Sequence, residues 1–212
     1  MKKAFFNLRE SKRLRIINSC VEEFSKYGYE QSSTDRIVKR AGISKGGLYE
    51  YISHKEELFL FIVEYVYTKL YKFIDKVISS ENKQLPPDIL QRFRFVASVA
   101  IEFYIQNPEM ILFIVKCNQI PHPDIGDKVH AIFLNHFEKL FTNIETDYLA
   151  YSFESMLDIL RWFLMKTRND FVCNLSTDQN MDQLREVYLN EWDTILSMLK
   201  NGIYKSGALQ GD

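Results

Sequence analysis

Apolar residues recur at spacings of three and four along almost the whole chain, and strand-like alternation never holds for more than a few residues. That pattern winds a single apolar stripe down a helix and cannot line one face of a strand, so the chain reads as all-α. Its 212 residues are enough to bury a sizeable core.

Glycine and proline divide the chain into two kinds of territory. Four of the eight glycines fall between Gly28 and Gly47, whereas all five prolines lie beyond residue 85. The first helix covers roughly Glu10–Tyr27, with Ile17, Cys20, Val21 and Phe24 as its buried stripe and Gly28 closing it. Ser33 is placed to cap a second, short helix, and Asp35 suits its positive end. Gly42-Ile43-Ser44 makes a tight turn, and Ser44 caps a third helix expected to run to about Ile52. A long fourth helix follows from Lys55 to about Ile78. Past the polar break 79–88, further helices are expected near Asp88–Gln106, Pro108–Gln119, Asp124–Ile144, Tyr148–Asn169 and Thr177–Lys205.

Charge separates the same two parts. Residues 1–55 hold 12 Lys and Arg against 6 Asp and Glu, and residues 56–212 hold 15 against 22, which sum to the net charge of -1. A basic first quarter on an acidic body suits a polyanion partner for the first part alone, with chance clustering of solvated charge as the plain alternative.

Two short helices joined by a glycine-containing turn match a helix-turn-helix. Ile37, Ala41, Ile43, Leu48 and Ile52 would pack on Val21 and Phe24, leaving Lys45, Gly46, Gly47, Tyr49, Glu50 and Tyr51 outward, as a major-groove reader requires. Adjacent glycines make a poor helix, but without side chains they let a backbone come close to a phosphate at a helix N-terminus. A plain corner in a helical bundle is the competing account of the same pattern.

Residues 10–59 resemble the DNA-binding domain of the tetracycline-repressor (TetR/AcrR) family of bacterial regulators. The resemblance rests on Gly28-Tyr29, Ser32-Ser33, Ile37-Val38, Ala41-Gly42-Ile43-Ser44-Lys45-Gly46, Leu48-Tyr49, Tyr51 and Lys55-Glu56-Glu57-Leu58, all in register. Three residues depart from the family pattern. Ile52 replaces the usual phenylalanine, Gly47 a small side chain, and Glu50 a neutral or basic residue in a groove-facing slot. Carried over by position, the resemblance implies that Lys45, Tyr49 and Lys55 anchor phosphates, joined by Ser33 and Thr34, while Ser44 caps the reading helix. It implies that Gly46, Gly47, Glu50 and Tyr51 face the bases and that Arg36 reaches either. His54 reads as a phosphate contact or a solvated loop residue, and Lys2, Lys3 and Arg9 as a basic arm or a disordered terminus.

The resemblance divides the chain into a DNA-binding domain, 1–55, and a helical ligand-binding and dimerisation domain, 56–212. In the second part Phe95, Phe103, Tyr104, Phe113, Phe133, Phe137, Phe153 and Trp162 are candidate walls of an effector pocket, although aromatics at helical spacing are most often core. Leu157, Leu160 and Leu164 on one helix, with Leu184, Tyr188, Trp192, Ile195 and Leu199 on the last, are the expected dimer face, pairing into a four-helix bundle.

Cys20, Cys117 and Cys173 are an odd number without C-x-x-C spacing, which argues against disulfides and zinc and for a reducing cytoplasm. His122, His130 and His136 lack metal-like partners, and no catalytic signature or phosphate-cradling loop occurs. Glu22-Glu23 and Glu56-Glu57 read as solvated helix faces. No cofactor, enzyme activity or membrane span is called for. The expected function is a homodimeric regulator, a repressor on a palindromic operator, released when a small hydrophobic effector of unknown identity shifts the long fourth helix. An activator of the same fold and a helical adaptor are the alternatives.

Overall fold

The computed structural model describes residues 1–80, 84–175 and 180–203. Among the described residues ten α-helices follow one another: α1 Lys3–Phe6, α2 Glu10–Tyr27, α3 Thr34–Ala41, α4 Lys45–Tyr49, α5 Lys55–Ser80, α6 Ile89–Gln106, α7 Pro108–Cys117, α8 Pro123–Phe137, α9 Phe153–Leu175 and α10 Met181–Ile203. A 3-10 turn, Glu138–Phe141, extends α8, and no β-strand occurs among the described elements. The fold is all-α, with the helix-turn-helix at its N-terminal end. Residues 81–83 of the expected break, and 177–179, 204 and 205 of the expected last helix, lie outside the described residues.

Local punctuation sets most of the ends. Gly28 (φ 65°) closes α2, its N–H donating to Phe24 O at 2.9 Å. Gly42 ends α3 in the left-handed region (φ 64°, ψ 41°), where a side chain would be strained, and the next N–H, Ile43's, reaches back to Val38 O at 3.1 Å. Asp88 caps α6 through Gln91 N (2.8 Å) and Ser152 caps α9 through Ser155 N (3.2 Å), which starts α9 later than Tyr148. α4 is shorter than expected and ends at Tyr49, with Glu50 as its C-cap. α8 also stops early. Beyond it the buried Arg92 gathers the carbonyls of Leu140 (3.3 Å), Thr142 and Asn143 (3.4 Å), and Asn143 takes a positive φ of 57°.

The described residues fall into two compact units, each built from two stretches of chain. One comprises Met1–Lys69 and Asn107–His136; the other comprises Leu70–Gln106 and the described residues from Phe137 onward. α5 supplies its first fifteen residues to the former and the rest to the latter.

In the first unit α2 packs against α3 and α7. Phe24, Phe59 and Phe113 meet with centroids 5.0 to 6.1 Å apart, an aromatic centre that fixes α2, α5 and α7 together. Phe113 is thus core here and not an effector contact, and Phe133 packs on Tyr67 of the same unit at 5.8 Å. The N-terminus is ordered as well. Phe5 is fully buried against Tyr51 and Phe61, Lys2 N donates to Tyr51 O at 2.8 Å, and Lys2 Nζ donates to Tyr49 O at 3.0 Å. A disordered terminus is therefore ruled out, and Lys2 caps the end of α4 instead of forming a free arm.

In the second unit α10 packs against α6 and α9. Phe93 stacks on Phe141 (4.3 Å) and on Trp192 (6.0 Å), and Tyr104 packs on Phe171 and Tyr188. Leu184, Tyr188, Trp192, Ile195, Leu157, Leu160 and Leu164 are all buried inside this single chain. They form its core, so the expected dimer face is turned inward; only Leu199 is half-exposed. The opposite side of the two helices carries exposed apolar residues: Ile159, Trp162 (59% exposed) and Met165 on α9, with Val187 and Met198 (74%) on α10.

Candidate functional site

The turn between α3 and α4 is built from the inside out. Ile37, Ala41, Leu48 and Ile52 are buried with Val21 and Phe24, as their spacing requires, and Ile43 is half-buried. Ser44 Oγ accepts from Gly47 N at 3.0 Å and so caps α4. A Cβ on Gly47 would lie 3.1 Å from that oxygen, which ties this glycine to the cap. A Cβ on Gly46 would meet nothing within 4 Å, so nothing inside the chain demands a glycine there.

Lys45, Gly46, Tyr49 and Glu50 form an exposed row along α4. The Lys45 ammonium lies 2.8 Å from Asp35 on α3, and hydrogen bonding to that carboxylate raises its pKa above the ordinary lysine value. Both partners are solvated, so an arriving phosphate can replace Asp35 at little cost.

Four expected contacts are placed differently. Tyr51 is only 6% exposed and packs on Phe5, so it faces the core and not the bases. Lys55 Nζ donates to the carbonyls of Tyr29 (2.8 Å), Glu30 (3.3 Å) and Ser32 (3.4 Å), clamping the α2–α3 turn instead of standing free for a phosphate. Arg36 is held by Glu23, by Gln31 O (2.7 Å) and over the Tyr27 ring (4.2 Å). His54 caps α5 by accepting from Glu57 N at 3.3 Å, while Glu57 accepts from Ser53 N at 2.7 Å. Ser33 and Thr34 open α3 half-buried, and Ser33 caps by position, with no side-chain hydrogen bond to the helix.

The residue that organises this region is Glu23, whose side chain is 0% exposed although the sequence places it on a solvated face. Its carboxylate accepts from Ser33 N (2.8 Å), from Arg36 Nε (2.7 Å) and, more weakly, from Arg40 Nη1 (3.5 Å). Burial alone would raise its pKa; the hydrogen bonds from Arg36 and Ser33 N, with the Arg36 charge and the Arg40 bond, outweigh burial and hold it below the usual carboxylate range. Only an arginine four residues before another on the neighbouring helix hinted at this acid's partners.

The second unit encloses a cavity of about 20 Å³ lined by α5, α6, α9 and α10 with Phe137 and Leu140. That space suits a water-sized group and is far below a drug-sized pocket. Of the expected effector contacts, Tyr104 and Phe137 line it. Phe103 is buried against Phe73 instead, Phe95 and Phe153 are half-buried, and Trp162 points to solvent. Arg168, 3% exposed, lines it too, its Nε donating to Tyr104 Oη at 2.8 Å. Tyr188 Oη and Trp192 Nε1 are fully buried and make no hydrogen bond of good geometry, although Trp192 and Thr167 stand within weak hydrogen-bonding reach of the Tyr188 hydroxyl. Burial pushes the Tyr188 hydroxyl well above the ordinary tyrosine value.

Burial likewise pushes the thiols of Cys20 and Cys117 up, away from nucleophilic character. Among the described residues no group of three or more His, Cys, Asp and Glu is placed to hold a metal ion, and no single helix is long and apolar enough to cross a membrane.

The family model for bacterial regulatory proteins of the tetR family matches residues 16–62, which cover the helix-turn-helix and the start of α5. Over 123 residues the chain is 25% identical to the HTH-type transcriptional activator FasR of Mycolicibacterium smegmatis, 57% of this chain and 53% of that protein. A TetR family transcriptional regulator from Chloroflexus aurantiacus superposes with a TM-score of 0.68 at 22% identity, over 96% of this chain and 98% of that one. The helix-turn-helix region, residues 16–62, thus matches the tetR family. A second curated relative, the fatty acid metabolism regulator protein of Bacillus subtilis, is 30% identical over 69 residues, 32% of this chain and 34% of that protein. The chain thus matches about half of the length of one curated relative and a third of the other, whereas the structural likeness runs nearly end to end and speaks for the fold.

The lowered Glu23 pKa has a defined consequence. A carboxyl whose folded pKa lies below its unfolded value, about 4.3, contributes stability that is present above that pH and lost as the pH falls through the folded value. Glu23→Gln is expected to cost about 2 kcal/mol at pH 7. Urea denaturation across pH should show the wild type and this variant converging below about pH 4.

Proposed function

We propose that this protein is a DNA-binding transcriptional regulator in which residues 1–55 read the operator and residues 56–212 bind an effector and join two subunits. The observation that carries this reading is the exposed row Lys45, Gly46, Tyr49 and Glu50, set on a capped helix over a buried apolar clamp. Lys45 and Tyr49 supply the phosphate contacts, Gly46 lets the backbone approach, and Glu50 points a hydrogen-bond acceptor at the bases. Ser33 and Thr34 lie at the start of α3, where they flank the same surface. Tyr51, Lys55, Arg36 and His54 act one step back and hold that row in place.

A homodimer sets the spacing of two such heads on a palindromic operator. Its face is assigned to Ile159, Trp162 and Met165 with Val187 and Met198, an exposed apolar area of the kind that marks a protein interface. The cavity supports a small apolar effector, and the name of the Bacillus subtilis relative, a fatty acid metabolism regulator, fits an effector with an extended apolar body. Because the space is so small, an effector must displace wall side chains, among them Tyr71 and Ile74 on α5. α5 also carries Lys55 and so passes that displacement toward the turn. An effector acts this way only through different affinities for two states. Repression follows if the effector favours the state that leaves DNA, and activation if it favours the other.

Two measurements test the reading. A duplex from the protein's own upstream region should be retained in a gel-shift assay, with log affinity falling linearly as log salt rises. Lys45→Ala and Tyr49→Ala should weaken it, Lys45→Ala lowering the salt slope by about one per head; unchanged binding would remove the assignment. In sedimentation, Trp162→Glu should turn a dimer into a monomer, whereas Leu199→Glu should do so only if the face expected from sequence is the true one.

A further inference from the structure

Resting on the DNA-binding role proposed above, we infer that Lys3, Arg9, Lys12 and Arg15 form a second contact with DNA. They make a basic ledge that grips phosphates beside the bases read by α4. The positive charge of the first quarter is unevenly placed. Residues 1–15 hold six Lys and Arg against the single acid Glu10, whereas residues 16–55 hold six against five. The excess therefore sits almost wholly ahead of the helix-turn-helix. Pairing sharpens the contrast. Within the helix-turn-helix, Arg36 and Arg40 are held by Glu23, Lys45 by Asp35 and Lys55 by three carbonyls. Ahead of it, Lys2 and Arg13 are bound to the carbonyls of Tyr49 (3.0 Å) and Phe6 (3.3 Å). The side chains of Lys3, Arg9, Lys12 and Arg15 form no ion pair or hydrogen bond among the described residues, and all but the half-buried Lys12 are exposed.

The fold does not need these cations. Arg9 occupies the N-cap of α2 and makes no side-chain bond to it, where Ser, Thr, Asp or Asn would. Cations at that end oppose the helix dipole, and Arg9, Lys12 and Arg15 repel one another at spacings of three. An anion outside the chain reverses both effects. The position of the ledge suits a duplex already held by α4. Lys2 N reaches Tyr51 O at 2.8 Å, so α1 starts at the carbonyl end of α4 and Lys3 follows directly. Farther along, Arg40 of α3 donates to Ser19 O at 3.5 Å. Ser19 lies one turn of α2 beyond Arg15, whose carbonyl accepts from Ser19 Oγ at 2.8 Å. Three residues of helix rise about 4.5 Å, close to the axial spacing of about 3.4 Å between phosphates on one strand. Phosphates repeat whatever the sequence, so this contact adds affinity and orientation but no base preference.

The test is a gel shift across salt with two duplexes of equal length, one selected from a random-sequence pool and one unrelated. Wild type is compared with a fourfold variant, Lys3→Gln, Arg9→Gln, Lys12→Gln and Arg15→Gln, whose fold is checked by circular dichroism. A second variant, Arg9→Lys with Arg15→Lys, keeps the charge. The fourfold variant is expected to lower the slope of log affinity against log salt by about three to four per head. At about 0.15 M salt it should weaken both duplexes about tenfold or more, by the same factor, so the preference between them stays. The charge-keeping variant should bind as wild type does. If the fourfold variant does not fold, Arg9→Gln and Arg15→Gln made singly should each lower the slope by about one. An unchanged slope overturns the inference. So does a loss confined to the selected duplex, which would make these residues base readers. The two layers separate in the same assay. If wild type retains both duplexes equally and the fourfold variant neither, the ledge stands and operator reading falls. If the selected duplex is preferred and the fourfold variant binds it as wild type does, the reverse holds. Retention of neither duplex by wild type overturns both.

Discussion

The buried Glu23 carboxylate is the contact on which the reading head depends. It sits on α2 and accepts from the first amide before α3 and from two arginines along α3, so one side chain fixes where α3 begins and how it lies on α2. With α3 fixed, Gly42 turns the chain in a conformation that only a residue without a side chain adopts freely, and Ser44 starts α4 at a defined angle. A buried charge is costly unless it is fully paired. Here the pairing is complete enough that the net effect is a depressed pKa. The exposed row on α4 is short, and its orientation comes from beneath.

The same economy places several residues in support of the surface. Lys55 gathers three carbonyls of the α2–α3 turn, and Lys2 holds the carbonyl end of α4. Phe5 fills the space under Tyr51. Loss of any of these would shift α4 without touching DNA. In the proposed reading, phosphate contact falls to Lys45 and positioning to Lys2 and Lys55, although all three carry the same charge.

Much of the fold was legible because its signals are local. Gly28, Gly42, Ser44 and Pro108 mark helix ends by backbone preference, and the apolar stripe of α2 by period. What failed was orientation. Tyr51 follows Glu50 just past the end of α4, and nothing in that stretch tells that Phe5, 46 residues earlier, covers it. α9 and α10 are apolar on two faces, Leu157, Leu160 and Leu164 on one and Ile159, Trp162 and Met165 on the other, so period alone does not say which faces inward. Phe113 and Phe133 have the composition of pocket walls, yet contacts with Phe24, Phe59 and Tyr67 decide that they are core. Glu23 has the composition of a surface residue, and only its partners far along the chain bury it.

The central claim is that DNA meets the exposed row on α4. Hydrogen–deuterium exchange, with and without a duplex selected from a random-sequence pool, reads that contact residue by residue. Slowed exchange is expected at the amides of Lys45 to Glu50 and at the start of α3, with the amides of α9 unchanged. A duplex that binds tightly while leaving exchange from Lys45 to Glu50 untouched would contradict it.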